Sequence, residues 1–151
     1  MKAGLKNRLI AVSAAAGLWV GALAGPAMAA DSDVVHIPDP GLKAAIASNL
    51  GVDVDSDITR GQLATITKLW ATNRDIQDLT GLEWATNLNV LIITGNKISD
   101  FGPVAGLGNL EELGISGNLI SDLSPLKGHQ ALRYLNLSGN QISDLDGLSG
   151  L

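Results

Sequence analysis

The aliphatic residues between Ile66 and Leu151 recur with a fixed step of 22 positions. Leu88, Leu110 and Leu132 open successive units, Leu91, Leu113 and Leu135 follow, and Ile93, Ile115 and Leu137 close each apolar set. The polar positions keep the same step. Asn96, Asn118 and Asn140 are each preceded by Thr-Gly or Ser-Gly, and the runs Ile98-Ser99-Asp100, Ile120-Ser121-Asp122 and Ile142-Ser143-Asp144 follow them. Counting back one more step gives Ile66, Leu69, Ala71 and Ile76, with Asp78 in the column of Asp100, so a degenerate first unit starts at Ile66. One copy of this pattern is no more than an amphipathic strand; four copies in register predict a stacked-repeat architecture.

The spacing has a physical reading. In Leu91-Ile92-Ile93, residues 91 and 93 point to one side of a strand and residue 92 to the other. Stacking the coils lays the strands side by side in a parallel sheet about 4.8 Å apart, and the aliphatic columns fill the space between layers. Asn96, Asn118 and Asn140 fall where the chain leaves the strand, where an amide that both donates and accepts can satisfy main-chain groups in a structural ladder. Gly95, Gly117 and Gly139 give the bend its conformational freedom. Pro103 and Pro125, matched by Gly81 and Gly147, predict a return path that is irregular or 3₁₀.

Upstream of the repeats, Asp39 as N-cap, Pro40 at the first helical position, apolar Leu42, Ile46 and Leu50, and a stop at Gly51 predict a short helix. Thr59 and Gln62 form a capping-box pair for a second. Together they would cover the first coil, which otherwise exposes its aliphatic side chains. Earlier still, Lys2, Lys6 and Arg8 precede an uncharged apolar run from Leu9 to Gly25, then the helix breaker Pro26 and Ala27-Met28-Ala29. This is the pattern of a secretory signal cleaved after Ala29, which predicts a secreted or cell-surface protein with no membrane insertion once the signal is removed.

The spacing L-x-x-L-x-L-x-x-N-x-I is the leucine-rich-repeat pattern, and at 22 residues it resembles the repeats of bacterial internalin-like surface or secreted proteins. The stretch Ile37-Pro38-Asp39-Pro40, the Ala-rich helix and Asp57-Ile58-Thr59 are similar to the cap segment that precedes such repeats. The resemblance implies an α/β fold: a leucine-rich-repeat solenoid with a short parallel β-sheet on its concave face, an irregular or 3₁₀ convex side and a small helical N-terminal cap. The expected organisation is a signal peptide at 1–29, the cap at 30–65, and about four repeats at 66–151, the last truncated. It also implies that partners dock on the concave face and on the aromatic residues there.

Composition narrows the functional classes. The 151 residues include 18 glycines but only three Trp, one Tyr and one Phe, so the core is aliphatic and any aromatic outside it is conspicuous. The formal net charge is −5. Cleavage would remove three of the ten positive charges, leaving seven against fifteen acidic groups, a balance that argues against nucleic acid as partner. Zero cysteines excludes a disulfide framework, a thiolate zinc site and a cysteine nucleophile.

Candidate chemistry is sparse. Asp53, Asp55 and Asp57 have the spacing that opens a calcium loop, but Ile58, Gly61 and Ala64 stand where the loop needs Gly, a further ligand and an acid, so they read as a solvated linker. His36 and His129 are the only imidazoles; His129, in the column of Ala85, Leu107 and Leu151, reads as a half-buried substitution on the outer face. The column Asp78, Asp100, Asp122 and Asp144 repeats in every coil and reads as turn-bonded aspartates. Asn136-Leu137-Ser138 is formally a glycosylation sequon, read here as strand and turn. No constellation supports catalysis, and no metal or cofactor is expected.

The positions that vary between coils are those on the outer strand face: Lys68, Trp70 and Thr72; Val90, Ile92 and Thr94; Glu112, Gly114 and Ser116; Tyr134, Asn136 and Ser138. An exposed Trp beside Ile and Val has no folding purpose and fits a binding anchor, although Trp70 could also cover the cap junction. The expected function is therefore a non-catalytic module that binds a protein partner. Four strands give a face about 15 Å wide, small against the roughly 800 Å² per partner of a stable interface. The alternative is an N-terminal repeat spacer of a longer exported enzyme or carbohydrate-binding protein, a reading prompted by the stop at Leu151 in mid-repeat.

Overall fold

The structure, a computed structural model, describes residues 31–151; the signal expected at 1–29 lies outside them. Two helices, α1 (Pro40–Leu50) and α2 (Arg60–Ala64), precede four three-residue strands, β1 (Lys68–Trp70), β2 (Val90–Ile92), β3 (Glu112–Gly114) and β4 (Tyr134–Asn136). The strands form one parallel sheet in chain order, with Leu69 opposite Leu91, Leu91 opposite Leu113 and Leu113 opposite Leu135. The register is therefore the 22-residue step of the sequence. After each strand the chain returns through a 3₁₀ turn: η1 (Leu82–Trp84), η2 (Gly102–Val104), η3 (Ser124–Leu126) and η4 (Asp146–Leu148). Pro103 and Pro125 sit inside η2 and η3, where a fixed φ suits the tight turn and the missing N–H costs little.

The core is continuous and almost wholly aliphatic. Leu69, Leu91 and Leu113 from the strands, Ala71, Ile93 and Ile115 beyond them, and Leu82, Val104 and Leu126 from the return path are fully buried, with Phe101 the one large ring among them. The corresponding residues of the fourth coil, Leu132, Leu135, Leu137 and Ile142, are only partly buried, since they have a neighbouring coil on one side.

Helix α1 forms as its caps dictate. The Asp39 side chain accepts from Leu42 N at 2.9 Å, Pro40 opens the helix, and Gly51 closes it in the left-handed region at φ 68°. The second Asp39 carboxylate oxygen reaches past the helix to accept from Gln77 N at 2.8 Å and Asp78 N at 3.2 Å in the first repeat. One buried carboxylate thus caps α1 and fastens it to coil one. Helix α2 carries the capping box expected from Thr59 and Gln62. Its first residue, Arg60, lies 3.7 Å from the centroid of the Trp84 ring on η1 and pairs with Asp33 at 3.4 Å. A stacked guanidinium therefore holds the second helix against the first return turn. Val34 adds an antiparallel bridge to Thr59.

Candidate functional site: the outer face of the sheet

The sheet has two faces with different work. On the inner face every strand residue is leucine, fully buried in the first three coils and partly buried in the fourth. On the outer face Lys68, Val90, Glu112 and Tyr134 stand in one row, and Trp70, Ile92, Gly114 and Asn136 in the next. Trp70 and Tyr134 are 55% and 54% exposed, the most open large hydrophobic side chains on the sheet. Val90 and Ile92 between them are half-buried. An ideal Cβ on Gly114 would stand 2.9 Å from Ile92 Cδ1, so the Ile92 side chain leans into the gap that glycine leaves and buries it.

Beyond the strand ends Thr72, Thr94, Ser116 and Ser138 make a row of hydroxyls, in which Ser116 Oγ and Thr94 Oγ1 are 3.3 Å apart. Thr72 and Ser138 are exposed, whereas Thr94 and Ser116 are half-buried. Asn136 Oδ1 accepts from Ser138 N at 3.1 Å and from Ser138 Oγ at 2.8 Å, so the sequon asparagine is engaged by its own turn. A depression of about 420 Å³ opens beside the strands, lined by Lys68, Val90, Glu112 and Tyr134 and also by Asn89, Glu111 and Arg133. Those last three were not singled out in the sequence. They stand one position before each strand, and Arg133 faces Glu111 at 3.9 Å.

The asparagine column lies at the edge of this face and is wholly engaged by main chain. Asn118 Nδ2 donates to Ile93 O and Ile115 O, both at 3.0 Å, while its Oδ1 accepts from Ile98 N at 3.2 Å. Asn96 and Asn140 repeat the arrangement one coil to either side. Each side chain bridges its own coil and the preceding one. A second column, unanticipated in the sequence, runs along the return path: Asn87 Nδ2 donates to Ala64 O and Asn109 Nδ2 to Thr86 O, both at 2.9 Å.

The acidic residues are turn elements. Asp78, Asp100, Asp122 and Asp144 each accept at Oδ1 from the backbone N–H two residues on, at 2.7–2.8 Å. Hydrogen bonds from the side chain and backbone of Thr80 hold the Asp78 carboxyl below its ordinary value, and those from the backbone and side chain of Ser124 do the same for Asp122. Asp53 Oδ1 likewise accepts from Asp55 N. His129 differs from the sequence expectation of a half-buried outer residue: it is 1% exposed. Its column is that of Ala85 and Leu107, both fully buried, so the repeat position prevails over the polarity of the side chain.

A parallel sheet in chain order with aliphatic columns behind it and asparagine ladders at its turns defines a leucine-rich-repeat solenoid. The family models agree: that for two copies of the leucine-rich repeat matches residues 86–128, and that for a single repeat matches 128–149. The repeats are internalin-like. The internalin inlF of Listeria monocytogenes superposes with a TM-score of 0.73 at 35% identity, over 75% of this chain and 34% of that one. Internalin C2 of the same organism gives 0.73 at 33% identity, over 76% of this chain and 51% of that one. A structure of the CBM51-2 domain with GlcNAc and the INT domains from Clostridium perfringens ZmpB gives 0.54 at 34% identity, over 60% of this chain and 19% of that one. The chain thus spans between a third and a half of the two internalin structures. No curated protein matches it.

Proposed function

We propose that the chain is an exported, non-catalytic module that binds a protein partner on its concave face, with Trp70 and Tyr134 as anchors. The observation that carries this reading is the pair of half-exposed aromatics on a sheet whose core needs neither. Exposed rings beside Val90 and Ile92 lose water readily on contact, as interface anchors do. Lys68, Glu112 and the Arg133–Glu111 pair would form a polar rim of mixed sign, and the hydroxyl row Thr72, Thr94, Ser116 and Ser138 would add adaptable hydrogen bonds. The domain boundaries at 29 and 65 and cleavage after Ala29 belong to the same proposal, as does a secreted or surface location. Among the described residues no helix is long and apolar enough to cross a membrane.

The test is capture of surface proteins from a host or neighbouring cell by the immobilised chain, compared with Trp70→Ala and Tyr134→Ala. Each variant should lose at least tenfold in affinity while unfolding within about 2 °C of the wild type, because neither ring belongs to the core. Unchanged capture by the double variant would refute the anchor assignment. A second reading has a specific motive: the similarity to a structure that holds carbohydrate-binding and INT domains together fits a repeat spacer within a longer exported protein. Under that reading the concave face captures nothing, and both variants behave as the wild type.

A further inference from the structure

We propose that the outer sheet face takes an amphipathic helix of its protein partner in one direction only, selected by the order of charges along the first row. This rests on the reading that the face docks a protein, and adds the form and polarity of the docked segment. In that row Lys68, Val90, Glu112 and Tyr134 follow one another from coil one to coil four. Lys68 is exposed, while Val90 and Glu112 are half-buried. Among the described residues neither Lys68 nor Glu112 belongs to an ion pair. Arg133 and Glu111, one position earlier, pair with each other and leave the order of the row unchanged.

Geometry keeps the two charges available to a partner. They stand two strands apart, about 9.6 Å, too far for an ion pair between them. The coil-one end is held in place by the cap, since Asn49 Nδ2 donates to Lys68 O at 2.8 Å. A partner that covers the row therefore needs a carboxylate over Lys68, an apolar group over Val90 and a cation over Glu112. In an extended segment, side chains on one face fall at about 6.8 or 13.6 Å, and neither matches. In a helix, positions i and i+7 lie about 10.5 Å apart on one face, with i+3 and i+4 between them. The helix fits the row.

Its direction follows from the same order. A helix favours an acid near its N-terminus and a base near its C-terminus. A helix running from coil one toward coil four thus meets Lys68 and Glu112 with each of its charges where its own backbone stabilises it. The reverse order would set like charges face to face, which an interface penalises strongly. The aromatic anchors suit the same path: Trp70 stands on coil one in the second row and Tyr134 on coil four in the first, so they flank the helix axis on opposite sides. Val90 and Ile92 make the floor apolar, Ile92 leaning over the gap left by Gly114.

The test uses two synthetic peptides of identical composition, both held helical by a hydrocarbon staple on the far face. One carries Glu at i, Leu at i+3 and i+4 and Lys at i+7; the other has Glu and Lys exchanged. Titrated at low ionic strength into the ¹⁵N-labelled chain, the first should bind roughly fivefold tighter or more, with shifts along the outer strand positions. Lys68→Glu combined with Glu112→Lys should invert the preference. Lys68→Gln and Glu112→Gln should each reduce it to below about twofold, a result that does not depend on the double variant folding. Equal binding of the two peptides, or binding of neither, would overturn the proposal. Equal binding that Trp70→Ala weakens would overturn the charge order while leaving the docking face standing. The docking reading itself fails separately, on unchanged capture by the anchor variants.

Discussion

At the scale of single residues, the repeat divides its side chains by how many main-chain groups they hold. Asn118 satisfies three buried groups in two coils. Asn118→Ala leaves the Ile98 N–H without a partner, while Ile93 O and Ile115 O keep Asn96 Nδ2 and Asn140 Nδ2, and should cost about 2 kcal/mol in denaturant unfolding. A loss below about 1 kcal/mol would mean that water replaces the amide. The turn aspartates act at lower stakes. Because Asp78 and Asp122 titrate below their ordinary value of 3.8, the stability they contribute is present above that pH and is lost as pH falls through their lowered values in the folded chain. Asp78→Asn with Asp122→Asn should therefore flatten only the part of the stability curve below about pH 4. The column of Asn96, Asn118 and Asn140 and those of aspartate and glycine were legible in the sequence because each recurs beside the strand with its neighbours, whereas Asn87 and Asn109 recur without such a motif. The full burial of His129 and the Arg133–Glu111 pair were not, since each occurs once and its meaning depends on which neighbour the stack brings to it.

At the scale of elements, the strands and 3₁₀ turns follow from alternation and from Pro103 and Pro125, and α1 and α2 from their caps. What sequence could not supply was how the cap meets the solenoid. Asp39 is recognisable as an N-cap, yet its second oxygen takes Gln77 N and Asp78 N, which lie almost forty residues away. Asp39→Ala removes both functions and should destabilise by about 2–4 kcal/mol. Asp39→Asn keeps one acceptor oxygen and should lose less; equal losses would show that the helix cap alone matters. The bend after each strand makes a steric demand instead. Gly117 sits at φ 64° with its ideal Cβ 3.5 Å from Gly95 Cα. Gly117→Ala should therefore cost about 1–2 kcal/mol from conformation rather than from collision.

At the scale of the whole molecule, the architecture separates the side chains that hold the coils together from those that stand open on the sheet. Buried columns and ladders fix the coils, so the outer strand positions are free to vary from coil to coil. Trp70 and Trp84 illustrate the division: the sequence marks both as rare rings, but Trp84 packs under Arg60 at the cap, whereas Trp70 stands open on the sheet. The outer face was legible because the strand parity places it. Its depression was only half legible, because Asn89, Glu111 and Arg133 lie just outside the alternating segment. The most direct test of the account is hydrogen–deuterium exchange of the chain with and without its captured partner. Protection is expected along residues 68–72, 90–94, 112–116 and 134–138, with the convex turns unchanged. Protection confined to the turns around Asp100 and Asp122, with the sheet exchanging as in the free chain, would contradict a concave docking face.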